Sequence, residues 1–398
     1  HKGMEKMSVS AIVVNYYTSI YLPELLNDLA ALKDIEQIFI VDNSGDIDYS
    51  LDRQSSKIEI IKPGKNLGFG AGVNLAASKA SSEHLLVINP DVRLFPNCLE
   101  HLLDAALKYG SVLTGPRFFW DNDKKYRLPP SQGSTSSLDY AVQAANKNRL
   151  EFEHLSFYWQ MRHERFWSST RPFAELFLSG ACVLINREWA VRRNLSSIFD
   201  NRSNLDNRES SVFDERFFLY FEDNDISLRA YFEGKLPLCV PDAEALHHYD
   251  QSPQPEEGKG SLMAKSHALF AQKYYGDIRY TLDKPASITD YYLPEIEDIG
   301  QITAPFSCDL RFLDIAVMQG FGVNKSECKQ YFGNIYFEIG VNPFFVPFAQ
   351  TEISEQSYGI DMFKIDDSIW EKLAKGLYYT RIRDSIKGTL KVWKLEKA

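Results

Sequence analysis

Five carboxylates interrupt an aromatic run in Phe213-Asp214-Glu215-Arg216-Phe217-Phe218-Leu219-Tyr220-Phe221-Glu222-Asp223-Asn224-Asp225. A carboxylate among aromatic side chains has its pKa raised by desolvation, which suits a general base. Asp223, near an expected helix start, fits a capping role as well. His247-His248 follows an expected strand and precedes a polar loop. An isolated histidine is usually structural, but Asp91 from another strand end would make His247 half of an oxygen-plus-imidazole metal site. In residues 66–74, Gly68, Gly70 and Gly72 alternate ahead of a helix. Glycines permit close backbone approach, and N–H groups at a helix start favour an anionic phosphate. The pattern is not the G-x-G-x-x-G of dinucleotide folds, and a tight loop entering a helix is its plain alternative.

These residues need a scaffold that gathers them. Residues 10–14, 38–41, 58–61 and 85–88 are short, β-branched or leucine-rich runs expected to be buried strands. Between and after them, the apolar spacing predicts helices from Leu22, with Pro23 in the first turn, over 71–80 and over about 96–108. Strands alternating with helices imply parallel βαβ units, hence an α/β fold with a doubly wound, mostly parallel sheet covered on both faces. Ligands collect beyond the carboxyl ends of such strands. The polar groups there are Asn15-Tyr16-Tyr17, Asp42-Asn43-Ser44 and Asn89-Pro90-Asp91. Turns also favour Asn and Asp, so it is the recurrence at three strand ends that is informative. Residues 120–172 read as loop chemistry followed by a polar aromatic stretch. Beyond them come a buried run at 176–185, a helix over 225–232, a strand over 236–240 and a helix over 262–275. The α/β domain is expected to span 8–275, with its boundary near Gly276, and 276–398 to form a separate aromatic-rich extension.

The chain has 398 residues, 44% hydrophobic, 25% charged and 13% aromatic, which are globular proportions. Its formal charge of −10 makes nucleic acid a poor partner. The five cysteines (Cys98, Cys182, Cys239, Cys308 and Cys328) are scattered without a C-x-x-C pair. That suits a reducing compartment better than a disulfide framework or a zinc site. No apolar run reaches the ~18 residues of a membrane span. No basic-then-apolar leader opens the chain, and His1-Lys2-Gly3 reads as an expression remnant. Secreted and integral-membrane readings are therefore not expected.

In their order along the chain, Val13-Val14-Asn15-Tyr16, Val41-Asp42-Asn43-Ser44, residues 66–74, Asn89-Pro90-Asp91, Leu178-Ser179-Gly180-Ala181, residues 213–230 and His247 resemble a family-2 glycosyltransferase with the GT-A fold. The nearest likeness is to bacterial rhamnosyltransferase-like and galactofuranosyltransferase-like members, over roughly two-thirds of the chain. The resemblance implies that Asn15 and Asp42, with Tyr16 and Asn43 beside them, hold the base and ribose of a nucleotide. It implies that Asn66, Gly68 and Asn74 line the nucleotide-sugar cleft and that Gly180 and Ala181 leave room beside the sugar. Asp91 stands where the family has the last carboxylate of its D-x-D metal motif, and His247 would complete the site for Mn²⁺ or Mg²⁺. Asp223 would be the base, with Glu222 orienting it or contacting the acceptor. Asn89 departs from the pattern by replacing the first Asp. An amide is a weaker ligand for a hard cation than a carboxylate, so the expected metal dependence is measurable but weak. The implied partners are a dTDP- or UDP-linked sugar and a glycan or lipid-linked glycan acceptor, for an inverting transfer in the cytoplasm. A sugar nucleotidyltransferase and an inactive nucleotide-binding module of a glycan-assembly complex are the alternatives. The first would need a basic residue beside the first strand, where Asn15-Tyr16-Tyr17 offers none.

In residues 331–349 many aromatics surround one charge, Glu338. They read as a small accessory core or as an acceptor surface. The last segment, 371–398, has a net charge of +5, and Leu377, Ile382, Ile386, Leu390 and Trp393 fall near helical spacing. A basic amphipathic helix over 377–398 is expected. It would either rest on the anionic inner face of the plasma membrane or dock on its own domain.

Overall fold

Each β-branched run in the first hundred residues becomes a strand, and each leucine- or alanine-rich segment after it a helix. The computed structural model describes residues 7–191, 211–249, 251–253, 258–275, 296–310, 334–342, 348–353, 362–385 and 388–398. In order come β1 (Val9–Asn15), α1 (Leu22–Ala31), β2 (Ile35–Asp42), β3 (Ile58–Ile61), α2 (Phe69–Ala77), β4 (His84–Ile88), β5 (Val92–Leu94), α3 (Cys98–Tyr109) and β6 (Leu113–Phe119). They are followed by α4 (Ser136–Ala145), α5 (Arg149–Ser168), β7 (Phe173–Ala174), β8 (Cys182–Asn186), α6 (Arg187–Val191), α7 (Glu222–Phe232), β9 (Leu238–His247) and α8 (Lys259–Tyr274).

The chain divides into two compact units. The first comprises residues 1–117, 130–139 and 167–281, and the second 118–129, 140–166 and 282–398. The expected boundary at Gly276 lies outside the described residues, as do Cys328, Phe332, Phe344, Phe345 and Ile386. The main sheet runs β3-β2-β1-β4-β8-β6-β9-β5, with β7 added on β9. It is parallel across β3, β2, β1 and β4, then antiparallel where β8 joins β4 and β5 joins β9. β1 is buried along its whole length, which is why its sequence reads as an unbroken apolar run rather than an alternation. α1 packs on β2 and β5 through the buried Leu22, Leu25, Leu26 and Leu29, each contributing about 1.5–3 kcal/mol by burial. α2 lies on β1 and β2; a Cβ on its Gly72 would stand 3.2 Å from both methyls of Val14, so any larger residue there would have to displace Val14.

Residues 120–172, expected as loop chemistry followed by a polar aromatic stretch, contain α4 and all of α5. Phe152, Leu155, Trp159, His163 and Phe166 form a buried helical stripe on α5. Leu150, Phe157, Tyr158 and Met161 on the opposite side are exposed, and this apolar outer face masked the period.

The second unit continues with β10 (Ile296–Ile302), β11 (Ser307–Asp309), β12 (Ile335–Gly340), β13 (Phe348–Ile353), β14 (Met362–Lys364), α9 (Asp367–Lys372), β15 (Gly376–Asp384) and β16 (Gly388–Lys397). Its sheet runs β10-β16-β15-β12-β13, and β11 pairs with β14. The expected C-terminal amphipathic helix is therefore corrected to an antiparallel hairpin, β15–β16. β15 is paired on both edges and buried from Tyr378 to Asp384, so strand alternation is erased and chance spacing imitated a helix. Tyr378-Tyr379-Thr380 and Val392-Trp393 supply the aromatic and β-branched content that strands favour. Four of the basic residues pair with acids of the same unit. Arg381 and Arg383 bracket the fully buried Glu338 at 2.6 and 2.7 Å, Lys394 meets Asp298 at 2.7 Å, and Lys391 meets Glu297 at 2.9 Å. The membrane-surface expectation rested on the helix and has no basis without it. Phe337 stacks on Phe363 at 4.5 Å and faces Phe306 at 5.9 Å, so the described aromatics of this segment form core.

Candidate functional site

Parallel pairing of β1 with β2 puts Asn15 opposite Asp42 at the carboxyl ends of adjacent strands. Both are buried. Asn15 Nδ2 donates to Asp46 Oδ1 at 2.6 Å and Ser44 Oγ at 3.1 Å, while its Oδ1 accepts from the Thr18 hydroxyl at 3.0 Å. Asp42 accepts from the Gly45 N–H at 2.8 Å and the Tyr49 hydroxyl at 2.7 Å. Tyr16 packs edge-on against Tyr17, whose φ of 53° puts it in the left-handed region just past the strand. Asp46 was not singled out in the sequence. Burial opposes its ionisation, but hydrogen bonds from Ser44, Ser19 and Asn15 hold the carboxyl below its usual range.

The first N–H groups of the glycine-rich stretch are engaged within the protein. Gly68 N–H donates to Asn66 Oδ1 at 2.9 Å, and Phe69 N–H to the Phe218 carbonyl at 2.9 Å. Gly68 has φ +84°, and a Cβ there would lie 2.3 Å from that same carbonyl oxygen. Asn43 Nδ2 donates to Gly68 O at 3.0 Å. Asn74 exchanges two hydrogen bonds, both 2.9 Å, with the backbone of Phe213. These residues clamp α2 to the segment 213–218 that leads into α7.

α7 opens on backbone strain, with Tyr220 and Phe221 both at φ 70°. Asp223 lies one residue inside the helix and does not cap it, since no side chain does so at Phe221. Instead its Oδ1 accepts from the Asn224 N–H at 2.8 Å and Asn224 Nδ2 at 2.9 Å, and its Oδ2 from the Gly180 N–H at 3.1 Å. Glu222 is buried with no hydrogen-bond partner on Oε2 among the described residues, and burial, then the charges of Asp223 and Asp225, push its carboxyl well above the ordinary range. A Cβ on Gly180 would stand 3.2 Å from Asp223 Cβ, so glycine permits the approach.

The β4–β5 turn holds Asn89 and Asp91. Asn89 N–H donates to the Ala181 carbonyl at 2.8 Å, so the dipeptide Gly180–Ala181 touches Asp223 through one residue and this turn through the next. β5 pairs Val92 with His247 on β9, which brings Asp91 Oδ2 to 3.5 Å from His247 Nε2. Two ligands about 2.1 Å from one cation lie about 3–3.5 Å apart, so this pair fits two positions around a divalent ion. Among the described residues no group of three or more His, Cys, Asp or Glu forms such a site. Tyr21, absent from the sequence reading, stacks on His248 at 5.2 Å; burial and then the Asp91 charge push its hydroxyl pKa up.

Behind α7, the fully buried Asp225 meets Lys273 of α8 and accepts from the Tyr274 hydroxyl at 2.7 Å. Lys273 also contacts Asp214 at 3.0 Å. This network, invisible in a one-dimensional pattern, fixes the helix that carries Asp223.

Residues 10–192, a little under half of the chain, match the Glycosyl transferase family 2 model. The chain is 28% identical over 210 residues to an N-acetylglucosaminyl-diphospho-decaprenol L-rhamnosyltransferase of Mycobacterium tuberculosis, recorded in two strains. The match covers 48% of this chain and 59% of that protein. The chain thus spans about three-fifths of the length of the curated relatives it matches. Among solved structures, GalNAc-T7 with UDP, GalNAc and Mn²⁺ aligns at TM-score 0.45 and 13% identity, over 68% of this chain and 48% of that one. Staphylococcus aureus TarS 1-349 aligns at TM-score 0.38 and 16% identity, over 69% and 76% respectively. No described helix is long and apolar enough to cross a membrane.

Proposed function

We propose that the protein is an inverting glycosyltransferase that moves a sugar from a nucleoside-diphosphate donor to an acceptor hydroxyl. The observation that supports this most is the Gly180–Ala181 bridge, which joins the carboxylate of Asp223 to the turn bearing Asp91. A base and a diphosphate site must lie on either side of an anomeric carbon, and one dipeptide links the candidates for both. The nucleotide would lie at the ends of β1 and β2 against Asn15, Tyr16 and Asp42, with Asn43, Asn66 and Gly68 shaping the wall and Asn74 holding it. Gly180 and Ala181 would border the sugar.

In the reaction, Asp223 accepts the proton of the acceptor hydroxyl as its oxygen attacks the anomeric carbon. The bond from that carbon to the diphosphate oxygen breaks, and the electron pair leaves with the nucleotide. A divalent ion held by Asp91 and His247 would supply Lewis-acid neutralisation of the diphosphate. Gly180 and Asn224 keep the Asp223 carboxylate aimed, and Glu222 beside it contacts or orients the acceptor. The mycobacterial relative is named for a rhamnosyl transfer to a diphospholipid-linked N-acetylglucosamine. For this chain we extend that to a dTDP-rhamnose donor and a lipid-linked glycan acceptor, with UDP-galactofuranose as the second donor.

Thermal-shift titration with UDP, dTDP, GDP and ATP, with and without Mn²⁺, on wild type and Asp91→Ala tests this reading. A ligand at ~100 times its dissociation constant adds about 2.7 kcal/mol. Stabilisation by UDP or dTDP, with a metal increment lost in Asp91→Ala, is expected. No shift with any nucleotide would favour a module that does not bind a donor.

A further inference from the structure

A second polar cluster lies outside the groups assigned so far. Asp139, on α4, accepts from the Tyr275 hydroxyl at 2.8 Å and meets His267 Nε2 of α8 at 2.7 Å, both through Oδ2. Its Oδ1 accepts from Ser134 Oγ at 3.1 Å, and Ser134 Oγ lies 2.7 Å from the Tyr275 hydroxyl. One carboxylate of α4 thus gathers a loop and two points of α8, His267 within the helix and Tyr275 at its end. The Asp139 oxygens are satisfied by protein donors, which suits a clasp better than a ligand site.

The clasp is connected to the base. The Ser134 N–H donates to Asn224 Oδ1 at 3.3 Å, and Asn224 Nδ2 donates to Asp223 Oδ1 at 2.9 Å. An amide has one accepting and one donating end. A donor fixed on its oxygen therefore dictates that the NH₂ faces the carboxylate, whereas a flipped amide would set oxygen against oxygen.

We propose that Asp139, clasped by His267 and Tyr275, is a positioning residue for transfer, acting through Ser134 and Asn224 to fix the orientation of the Asp223 carboxylate. The proposal rests on the reading of Asp223 as the base. Without the clasp, Ser134 is no longer held against Asn224, the amide can flip, and Asp223 loses one of its donors and its aim. A misplacement of about 1 Å at a reacting group costs ~10²-fold in rate. Donor binding at the ends of β1 and β2 does not run through this chain of bonds, so the loss falls on kcat and not on the donor KM.

A double-mutant cycle with Asn224→Ala and Asp139→Ala tests it, read as nucleotide release from dTDP-rhamnose and UDP-galactofuranose, with thermal unfolding of each variant. Asn224→Ala should lower kcat ~10²-fold and Asp139→Ala ~10-fold, with donor KM within about twofold of wild type. The double variant should match Asn224→Ala alone, because both act on one amide. Multiplied losses, or an Asp139→Ala that lowers the unfolding temperature while kcat stands, would overturn the proposal. Should Asp139→Ala not fold, Ser134→Ala keeps the N–H, cuts only the hydroxyl ties, and carries the same cycle. Asp223→Asn run alongside separates the two readings. Retained turnover there removes the base, whereas an inactive Asp223→Asn with a multiplicative cycle removes only the clasp.

Discussion

Replacing Lys273 by methionine removes the cation that two carboxylates of the first unit share. Lys273 is nearly buried, contacts Asp225 and lies 3.0 Å from Asp214; Asp225 itself is fully buried. Methionine fills a similar volume, so the loss is electrostatic rather than a cavity. Breaking one side of a buried ion pair costs about 3–5 kcal/mol, because a charge is left uncompensated. Arg229 lies 3.4 Å from the other oxygen of Asp225, and Arg216 binds Asp214 at 2.6 Å, so the lower figure applies. For a unit of this size, about 3 kcal/mol lowers the unfolding temperature by roughly 6–12 °C. The pH dependence has a definite sign. Burial opposes ionisation of Asp214, but the Arg216 hydrogen bond and the Lys273 charge outweigh it and hold the carboxyl well below its usual range. Such a group stabilises the fold above its unfolded pKa, and the contribution disappears as pH falls through the folded value. The gap between wild type and Lys273→Met, measured by circular dichroism melts at pH 7 and pH 3, should therefore narrow in acid. A gap under about 2 °C at pH 7, or one that widens at pH 3, refutes the reasoning.

Three further outcomes follow from single residues. Gly68→Ala places a Cβ against the Phe218 carbonyl at a φ of +84°. It should cost about 1–3 kcal/mol in a urea titration, and an unchanged midpoint would contradict the clamp. Glu222→Gln removes a carboxyl whose folded pKa is raised by burial and by Asp223 and Asp225. The wild-type contribution is fully present below the unfolded pKa and lost as pH rises through the folded one, so the variant should melt near wild type at pH 4 and above it at pH 8. An equal decrease at both pH values argues for a different environment. Glu338→Gln leaves Arg381 and Arg383 without their buried counterion and should destabilise the second unit by about 3–5 kcal/mol, seen as an earlier melting transition.

The parallel half of the main sheet was legible because its strands are buried on both faces and its helices carry clean leucine spacing. The strand ends followed from that order, so Asn15, Asp42, Asn89 and Asp91 could be found without coordinates. Asp91 and His247 meet because β5 pairs with β9, a register that turn chemistry alone does not encode. Asn74 has the right position for a cleft residue, but its amide is spent on the Phe213 backbone. Long-range partners of this kind leave no local pattern. The same holds for Asp225 with Lys273 and for Asp139 with His267, separated by 48 and 128 residues. The C-terminal hairpin was misread because β15 is covered on both faces and its arginines point at a buried glutamate. A charged residue inside a strand looks, in sequence, like a residue on a solvated helix.

The central claim is that Asp223 removes the proton of the acceptor hydroxyl while its neighbours bind the donor. The most direct test is turnover of Asp223→Asn beside its affinity for UDP or dTDP, measured by isothermal titration. Nucleotide affinity should stay within about threefold of wild type while transfer falls by at least ~10²-fold, the lower bound for removing a general base. An Asp223→Asn protein that transfers sugar at the wild-type rate would contradict it.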